Sequence, residues 1–455
     1  AFIAAFLYYR WKPSTFEPKS NAVVGFFHPY SNDGGGGERV LWCSVRAIQN
    51  AYKDARCVIY TGKGASSGEI LRRAKERFNI ELERPVQFIF LEKRHWIEAK
   101  RYPRMTLLGQ SIGSMFLGWE ALNALIPDVF IDTMGYAFTY PLVKFRSRGR
   151  CAVAAYVHYP TISTDMLKIV SNRMPTYNNS IGISGSWFRS KLKHFYYMLF
   201  ALSYGYVGGF ADAVMVNSSW TQGHIEYIWV LRAPPHRVYP PCDTKGLEQL
   251  PLERSGHMIV SVAQFRPEKD HDLQLRAFAF LMHHFKGDKV PKDLRLVLIG
   301  SCRNREDEER IGRLKKKCEE LRIQDRVEFQ VNISYEQLRN FLGRAVIGIH
   351  TMWNEHFGIG VVEYMAAGAI AVAHDSGGPR EDIIVPHNGE PTGFLATTSS
   401  EYAAKMQEIF DMDPKERRAM QESARQAIQQ FSEAQFESGF LNALQGSVFP
   451  EESNS

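Results

Sequence analysis

The chain has 455 residues, 45% of them hydrophobic and 23% charged, so it is long enough for two or three domains, and a disordered or fibrous protein is excluded. Residues 1–240 hold 29 Lys and Arg against 16 Asp and Glu, a net charge of +13, whereas residues 241–455 have a net charge of −7. This division argues against a uniformly basic nucleic-acid-binding protein and indicates two domains with different partners. The six cysteines show no C-x-x-C spacing, which argues against a zinc ribbon or a redox motif.

The first segment, residues 1–20, is apolar and then basic. It opens AFIAAFLYY and continues Arg10-Trp11-Lys12. Nine apolar residues are fewer than the roughly 20 that span a bilayer, but apolar, then aromatic, then basic residues are typical of the cytosolic end of a membrane helix. We interpret the segment as the stub of an N-terminal membrane anchor with its juxtamembrane residues. The alternatives are a frayed terminus and the remnant of a signal peptide.

Residues 21–240 alternate between short apolar strands and helical segments, which is typical of a parallel sheet covered by helices. The apolar run Met105–Leu125, which Arg101 and Arg104 precede, predicts a helix. A position in the core and a position on a membrane surface both stay open for this helix. The predicted strands are Ala22–Phe27, Cys57–Tyr60, Val86–Phe90, Asp128–Ile131, Ala152–Val157 and Ala213–Val216, and a helix opens at Glu38 after the first of them.

A Pro-rich segment, Val238–Gly246, predicts a linker to a second alternating series in residues 241–432. Residues 433–455 are expected to form a helix that crosses back to the first domain. The fold class is α/β, with two Rossmann-like doubly wound domains facing across a cleft, and ligands of such folds bind at the carboxyl ends of the strands. The predicted strands of the second series are Met258–Val262, Leu294–Ile299, Val327–Phe329, Ile347–His350 and Ala369–Ala373.

The most informative segment is WNEHFGIGVVEYMAAG, Trp353–Gly368, which follows a predicted strand and opens a helix. Free backbone N–H groups and the helix dipole at such a start attract a phosphate, and glycine lets a ligand approach the backbone closely. Glu355 precedes the helix and Glu363 lies eight positions later, so the two carboxylates can bracket a long polar ligand. The alternative for Glu363 is a role in stabilising the helix. The residues that we expect to bind a donor here are His356, Phe357, Gly358, Ile359 and Glu363.

Two further loops suit a phosphate. Arg266 and Lys269 follow a predicted strand and could hold a diphosphate, stabilising charge on a leaving group; the alternative is a basic surface loop. The glycine loop Gly34–Gly37 follows the first strand, and we expect Gly36 and Gly37 to let a phosphate or sugar approach the backbone. The alternative is a mobile loop without a ligand. Because neither G-x-G-x-x-G nor a P-loop motif is present, nicotinamide or ATP binding is weakly supported.

His158 and a glycine turn complete the candidate groups. His158 follows the predicted strand Ala152–Val157, where cleft residues are expected, and the alternative is a packed structural histidine. The turn Ser376–Glu381 also ends a strand, and it either shapes a sugar pocket or only reverses the chain.

The segment EHFGIGVVE resembles the E-x7-E motif of retaining nucleotide-sugar glycosyltransferases with the GT-B fold. The glycine loop, the Arg/Lys loop, the histidine and the Gly-Gly-Pro turn occur in that family's order, and the resemblance covers nearly the whole chain. FFHPYSNDGGGGERVLW, HYPTISTDM, AQFRPEKDHDLQL and HDSGGPREDII are similar to the α-1,2-mannosyltransferases that extend the dolichol-diphosphate-linked oligosaccharide of asparagine-linked glycosylation.

The resemblance implies transfer of the fourth and fifth core mannoses from GDP-mannose, at the cytosolic face of the endoplasmic reticulum membrane. It assigns residues 21–240 to the acceptor and residues 241–432 to the nucleotide sugar. Glu355 then contacts the donor sugar, Glu363 the ribose and Lys269 the phosphate. Gly36 and Gly37 correspond to the glycine pair near the diphosphate, and His158 to the histidine beside the transferred sugar. The family usually has Arg where this chain has Gln264, and Arg266 is the nearby substitute.

The resemblance also implies a hexosyltransferase that retains configuration and needs neither a metal nor a cofactor. In place of a metal cation, Arg266, Lys269 and the helix start would stabilise the negative charge of the diphosphate. The sequence Asp411-Met412-Asp413 is not expected to bind a metal with the nucleotide, because it lies among the C-terminal helices, away from any predicted cleft loop. Complexes with other mannosyltransferases of the pathway are among the implied partners; nucleic acid is not. The rivals are a transferase of the same pathway with another linkage or acceptor, a soluble sugar-nucleotide enzyme, and a non-catalytic membrane-bound scaffold.

Overall fold

The computed structural model describes residues 8, 21–32, 35–163, 187–284, 290–302 and 304–449. The predicted anchor stub, apart from Tyr8, and Gly34 of the glycine loop lie outside these residues. The chain forms two compact units, which we call the first unit (residues 1–239 with 436–455) and the second unit (residues 240–435).

Within the described residues, the first unit contains a seven-stranded parallel sheet in the order β3-β2-β1-β4-β5-β6-β7. The chain runs outward from β1 in one direction and then, beginning at β4, in the other, as in a doubly wound sheet. The strands are β1 (Val23–Phe27), β2 (Arg56–Gly62), β3 (Gln87–Leu91), β4 (Val129–Asp132), β5 (Ala152–Val157), β6 (Ala213–Val216) and β7 (His236–Arg237). The helices are α1 (Gly36–Ala51), α2 (Ser67–Phe78), α3 (Thr106–Ala124), α4 (Tyr140–Arg146), α5 (Trp187–Gly208) and α6 (Ser219–Ile228).

The second unit contains, within the described residues, a six-stranded parallel sheet in the order β10-β9-β8-β11-β12-β13. Its strands are β8 (Met258–Val262), β9 (Arg295–Gly300), β10 (Val327–Val331), β11 (Ile347–His350), β12 (Ile370–His374) and β13 (Phe394–Ala396). Its helices are α7 (Thr244–Glu248), α8 (His271–His284), α9 (Arg305–Glu320), α10 (Tyr335–Arg344), α11 (Ile359–Ala367), α12 (Ser399–Asp411) and α13 (Pro414–Ala427).

Both faces of the first sheet are buried, as expected for a parallel sheet covered by helices. In β5, Ala154 and Tyr156 pack with α1 on one face, whereas Val153 and Val157 pack with α3 on the other. Successive side chains of a strand point to opposite faces, so one apolar strand supplies two cores.

The last helix, α14 (Glu433–Leu444), packs on the first unit. Phe436 and Phe440 lie in the core beside α1, and the Phe436 ring meets the Tyr156 ring edge-on with centroids 6.0 Å apart. Arg46 of α1 pairs with Glu437 at 2.6 Å. The carboxyl-terminal segment thus completes a core whose other members come from the first 239 residues.

The predicted strands are confirmed, most with ends shifted by one or two residues, and Ala152–Val157 agrees at both ends. The predicted helix start at Glu38 is wrong by two residues. Glu38 accepts a hydrogen bond from the Gly35 N–H at 2.7 Å, which caps a helix that begins at Gly36. Gly36 and Gly37 therefore belong to the first turn of α1.

In the described parts of the chain, none of the helices has both the length and the hydropathy that a bilayer span requires. All six cysteines are free thiols, and only Cys302 is not fully buried. The apolar run Phe195–Val216 consists of the second part of α5, a turn and the buried strand β6.

Candidate active site

The start of α11 is the first element of the site in the second unit. Gly358 precedes the helix with a φ of 115°, in the left-handed region that favours glycine. Because of this turn, α11 begins at Ile359, two residues after Phe357, and it ends at Ala367, with Gly368 as its C-cap. The first backbone N–H groups of a helix lack partners within the helix and, with its dipole, attract anions.

Glu355 lies on the loop just before this helix start, and its side chain is 13% exposed. The Lys269 ammonium group forms an ion pair with Oε2 of Glu355. Nε2 of His350 lies 3.1 Å from the same oxygen. The structure thus brings together two predicted site residues, Glu355 and Lys269, and adds His350 to them.

The electrostatics of this group keep Glu355 ionised. Burial alone would raise the pKa of the Glu355 carboxyl, but the charge of Lys269 and the hydrogen bond from His350 outweigh it. As a result, the pKa of Glu355 lies well below its ordinary value. The group can therefore offer a fixed negative charge in a largely dry environment, which is what stabilises a developing positive charge.

The backbone of the turn that carries Lys269 is held in place by hydrogen bonds. It ends a short 3₁₀ turn, Pro267–Lys269, and Oγ1 of Thr351 donates to the carbonyl oxygens of Lys269 and Asp270 at 2.9 and 3.0 Å. Gln274 in turn donates to Thr351 at 2.9 Å. These contacts tie the turn that carries Lys269 to the end of β11.

His350 is held at the carboxyl end of β11. Its carbonyl oxygen accepts a hydrogen bond from the Tyr402 hydroxyl at 2.8 Å, and the residue is 4% exposed. Among the described residues, Nδ1 of His350 is buried without a hydrogen-bond partner. Because the ionised carboxylate of Glu355 can only accept a hydrogen bond, we assign the Nε2–H of His350 as the donor.

The glycine turn after β12 shapes the loop that carries Glu355. A Cβ atom on Gly377 would lie 2.3 Å from the carbonyl oxygen of Glu355, and one on Gly378 would lie 2.3 Å from that of Phe357. The Gly378 N–H also donates to the Glu355 carbonyl oxygen at 2.8 Å. The turn therefore packs directly against the loop that carries Glu355, and its role in a sugar pocket stays a prediction.

The other predicted donor-binding residues of the second unit are less closely grouped. Arg266 is 3.8 Å from Glu268, and its Nε is buried without a partner among the described residues. The Phe357 ring packs edge-on against the Phe431 ring, with centroids 5.2 Å apart, and the residue is 3% exposed. His356 is half-buried beside it, and Glu363 lies half-buried on the second turn of α11.

The first unit has its own polar group at the carboxyl edge of its sheet. Nε2 of His158 lies 3.1 Å from the Thr133 carbonyl oxygen, and Nδ1 of His28 lies 2.7 Å from Oγ1 of Thr133. A Cβ atom on Gly37 would lie 3.6 Å from Nε2 of His158 and 3.9 Å from the His28 ring. The start of α1 and the predicted histidine are therefore neighbours.

His28 is uncharged at neutral pH. Burial, and next the nearby His158, lower the pKa of His28 to about 3. Its Nε2 is buried without a partner among the described residues. The first unit thus presents a neutral His28 beside His158 and a helix start, in contrast to the ion pair of the second unit.

The sequence prediction missed His28, His350, Thr351 and Thr133. Each follows or ends a buried strand, which is the signal that identified His158. The same rule, applied to every strand, would have found them. Within the described residues, His, Cys, Asp and Glu side chains form no group of three or more suited to a metal ion.

Comparisons with known proteins agree with this architecture. Residues 21–229 match the family model "ALG11 mannosyltransferase N-terminus", and residues 246–427 match "Glycosyl transferases group 1". The structure is similar to that of Anabaena Alr3699/HepE in complex with UDP and glucose, with a TM-score of 0.63 and 17% identity, covering 93% of this chain and all of the other. It is also similar to a UDP-forming α,α-trehalose-phosphate synthase from Burkholderia xenovorans, with a TM-score of 0.66, 12% identity and coverage of 94% of this chain and 100% of that one.

Curated relatives are much closer in sequence. The GDP-Man:Man(3)GlcNAc(2)-PP-Dol α-1,2-mannosyltransferase of Mus musculus is 52% identical over 94% of this chain and 87% of its own length. The protein of the same name from Dictyostelium discoideum is 48% identical over 93% of this chain and 85% of its own length. With its two parallel-sheet units in the GT-B fold, the chain belongs to this family of α-1,2-mannosyltransferases.

Proposed function

We propose that the protein transfers mannose from GDP-mannose in α-1,2 linkage to a dolichol-diphosphate-linked oligosaccharide. The fourth and fifth core mannoses are added, with retention of configuration and without a metal or cofactor. The names of the relatives supply the donor and an acceptor with three mannoses. The observation that carries the chemical part is the largely buried Glu355, ionised between Lys269 and His350 just before a helix start.

The diphosphate of the donor would lie at the start of α11, near Lys269. Lysine and the helix start both favour negative charge, and the charge grows as the sugar–phosphate bond breaks. Arg266 carries a second cation on the same loop, with an unpartnered buried Nε among the described residues. These protein groups would take the part that a divalent cation plays elsewhere.

The acceptor hydroxyl would attack the anomeric carbon from the face of the departing diphosphate. The bond from that carbon to the phosphate oxygen breaks with its electron pair, the new glycosidic bond forms on the same face, and the departing phosphate oxygen takes the hydroxyl proton. Glu355, kept ionised, would stabilise the positive charge that develops on the sugar. Attack and departure on one face give retention.

The first unit would supply polar groups. Gly36 and Gly37 begin α1, where a diphosphate is favoured, and His158 and His28 offer ring nitrogens suited to sugar hydroxyls. Glu363 would bind the donor ribose. We also propose the endoplasmic reticulum membrane as the location, with the described units on the cytosolic side, because the acceptor is a lipid and residues 1–240 have a net charge of +13. Complexes with other mannosyltransferases of the pathway are further proposed partners.

An assay with purified protein tests this function. GDP-mannose, GDP-glucose and UDP-glucose are each offered with lipid-diphosphate acceptors bearing two, three, four or five mannoses, with and without a chelator. We expect transfer from GDP-mannose to the acceptors with three and four mannoses, unaffected by the chelator, and products cleaved by a mannosidase specific for α-1,2 bonds. Another linkage or acceptor would identify a different transferase of the pathway, and no transfer with intact GDP binding would favour a scaffold.

A further inference from the structure

Two helices of the first unit expose apolar side chains on their outer faces. Among the described residues, twenty large hydrophobic side chains are exposed, and ten of them lie on α5 or on α3 with its capping residue. Their exposure ranges from 40% to 66%. They are Met105, Ile112, Met115, Phe116 and Trp119, and Leu192, Phe195, Met198, Leu199 and Leu202.

The exposed residues of α3 follow the helical period. Ile112, Phe116 and Trp119 lie on one side of the helix, while Leu117 and Ala121 on the opposite side are buried in the core. Apart from Gln110, Glu120, Asn123 and a few Ser and Thr residues, the helix is apolar on both its buried and its exposed side. A helix of that kind belongs in an apolar environment on both sides, but the protein covers only one of them.

α5 repeats the arrangement. Leu192, Phe195, Leu199 and Leu202 recur at intervals of three and four residues on the exposed side, and Phe200 is buried on the other. The two helices are neighbours, since the Leu108 N–H at the start of α3 donates to the Tyr196 hydroxyl of α5 at 3.1 Å. We call the ten exposed side chains on these neighbouring helices the apolar face.

Basic and aromatic side chains accompany the apolar face. The guanidinium of Arg101 lies 4.6 Å from the centre of the Trp96 ring, and that of Arg146 lies 4.4 Å from the centre of Trp119. The Lys193 ammonium group lies 5.5 Å from the Tyr197 ring. The sequence of α5 contains no Asp or Glu.

This combination identifies the partner by its chemistry. Interfacial helices insert an apolar face below the lipid headgroups, while lysine and arginine contact anionic headgroups and aromatic rings lie at the boundary. A protein–protein interface would instead be expected to surround its apolar core with a polar rim that contains charges of both signs. The positive charge beside α3 and the absence of acidic residues in α5 favour a negatively charged lipid surface.

We propose that the apolar face lies in the headgroup layer of an anionic membrane, with α3 and α5 on the bilayer and not across it. The inference rests on the proposed lipid-linked acceptor, because an enzyme that acts on a dolichol-bound sugar must work at a bilayer surface. It adds to that function the surface of this chain that makes the contact.

Vesicle binding tests the proposal. The full chain is sedimented with phosphatidylcholine vesicles that contain no anionic lipid or about 30% phosphatidylinositol. We expect binding to the anionic vesicles, weakened about tenfold or more by Leu199→Gln with Leu202→Gln, and likewise by Ile112→Gln with Met115→Gln. All four side chains are exposed, so the fold is expected to persist. The matched control is Phe280→Gln with Val331→Gln, which changes two exposed apolar residues of the second unit.

Charge reversal tests the basic component separately. Arg101→Glu with Arg104→Glu should lower binding to anionic vesicles at about 0.1 M salt and have less effect at about 0.5 M, while Lys316→Glu with Lys415→Glu in the second unit should leave it unchanged. Transfer to a water-soluble, short-chain lipid acceptor should persist in every variant, so that loss of vesicle binding and failure of the proposed activity are separable. Unchanged vesicle binding in both apolar double variants would overturn the proposal. So would conversion of an oligomer to a monomer by these variants without a change in vesicle binding, which would identify the apolar face as a protein interface.

Discussion

The two units are built on the same plan but present different surfaces. Each is a parallel sheet that the chain winds in two directions from its first strand. Among the described residues, sixteen of the twenty exposed large hydrophobic side chains lie in the first unit and four in the second. Residues 1–240 also carry a net charge of +13, against −7 for residues 241–455. The two units thus share a fold, and their surfaces differ in exposed apolar side chains and in charge, which indicates different partners.

The polar groups at the carboxyl edges of the two sheets also differ in charge. The second unit holds an ion pair, Lys269 with Glu355, whereas the first holds histidines, one of which, His28, is neutral because burial lowers its pKa to about 3. Charged groups suit a nucleotide diphosphate and a developing positive charge. Changes in the second unit should therefore impair donor chemistry and leave membrane binding intact.

The largest effect is expected from Glu355→Gln. The substitution keeps the size of the side chain but removes the negative charge that we assign to stabilising the transferred sugar. Transfer of radiolabelled mannose should fall by about 10³-fold, as for other preorganised electrostatic groups. GDP affinity, measured by calorimetry, should change little, because we assign the diphosphate contact to Lys269 and not to Glu355.

The control is Glu336→Gln, at an exposed helix start of the same unit. It should transfer mannose at the unaltered rate. If Glu355→Gln retained more than about a tenth of the activity, Glu355 would not be the stabilising carboxylate.

Lys269→Met should act mainly on donor binding. A charge-assisted contact to a phosphate is worth about 1.5–3 kcal/mol, so the affinity for GDP should fall by about 10- to 100-fold. The same change removes the cation that lowers the pKa of Glu355, so the acid limb of the pH–activity profile should move to higher pH. Lys292→Met, at an exposed position, is the control. GDP affinity equal to that of the control would argue that the diphosphate binds elsewhere.

His350 should act through Glu355. His350→Ala removes one hydrogen bond from the carboxylate, and we expect transfer to fall about tenfold while GDP affinity stays the same. Because that hydrogen bond lowers the pKa of Glu355, its loss should also shift the acid limb upward. His350→Gln, whose amide nitrogen can donate from a similar position, should restore most of the activity. A His350→Gln variant as impaired as His350→Ala, with an unshifted pH profile, would indicate a purely structural role.

The fold could be predicted largely from the sequence because its strands are short apolar runs bounded by polar turns. β5 and β8 were located to the residue, since buried parallel strands are apolar on both faces. Helix starts were less well predicted. At Gly36 and Gly358, the start of the helix depends on the backbone conformation and not on the hydrophobic pattern. A capping contact such as that of Glu38 with the Gly35 N–H is seen only in the structure.

The site could be predicted in part. Glu355, Lys269 and His158 were predicted from their motifs and from their positions after strands, and the structure brings Glu355 and Lys269 together. The pairing of Glu355 with Lys269 joins residues 86 positions apart, and no local pattern encodes such a distance. His350 was taken only as the end of a strand. The position of the helix in Met105–Leu125 stayed open, because one apolar sequence fits a core helix and an interfacial helix equally well.

The last prediction uses a buried histidine in each unit. Burial, and next His158, lower the pKa of His28 to about 3, and burial, and next Lys269, lower that of His271 to about 4. In the unfolded chain both titrate near 6.5. Between those values the unfolded chain binds protons that the folded chain does not, so each histidine lowers the free energy of unfolding as the pH falls below about 6.5.

His28→Asn should remove the contribution of the first unit. The asparagine side chain can still pair with Thr133 but cannot titrate. From pH 7 to about 5.5, the first unit of the variant should lose about 1 kcal/mol less of its unfolding free energy than the parent protein does. Tryptophan fluorescence during urea unfolding reports on this unit, because seven of the eight tryptophans lie before residue 240. His95→Asn, at an exposed position in the same unit, should keep the parental pH dependence. If His28→Asn kept it as well, His28 would not be the neutral, buried group that distinguishes the first unit from the charged site of the second.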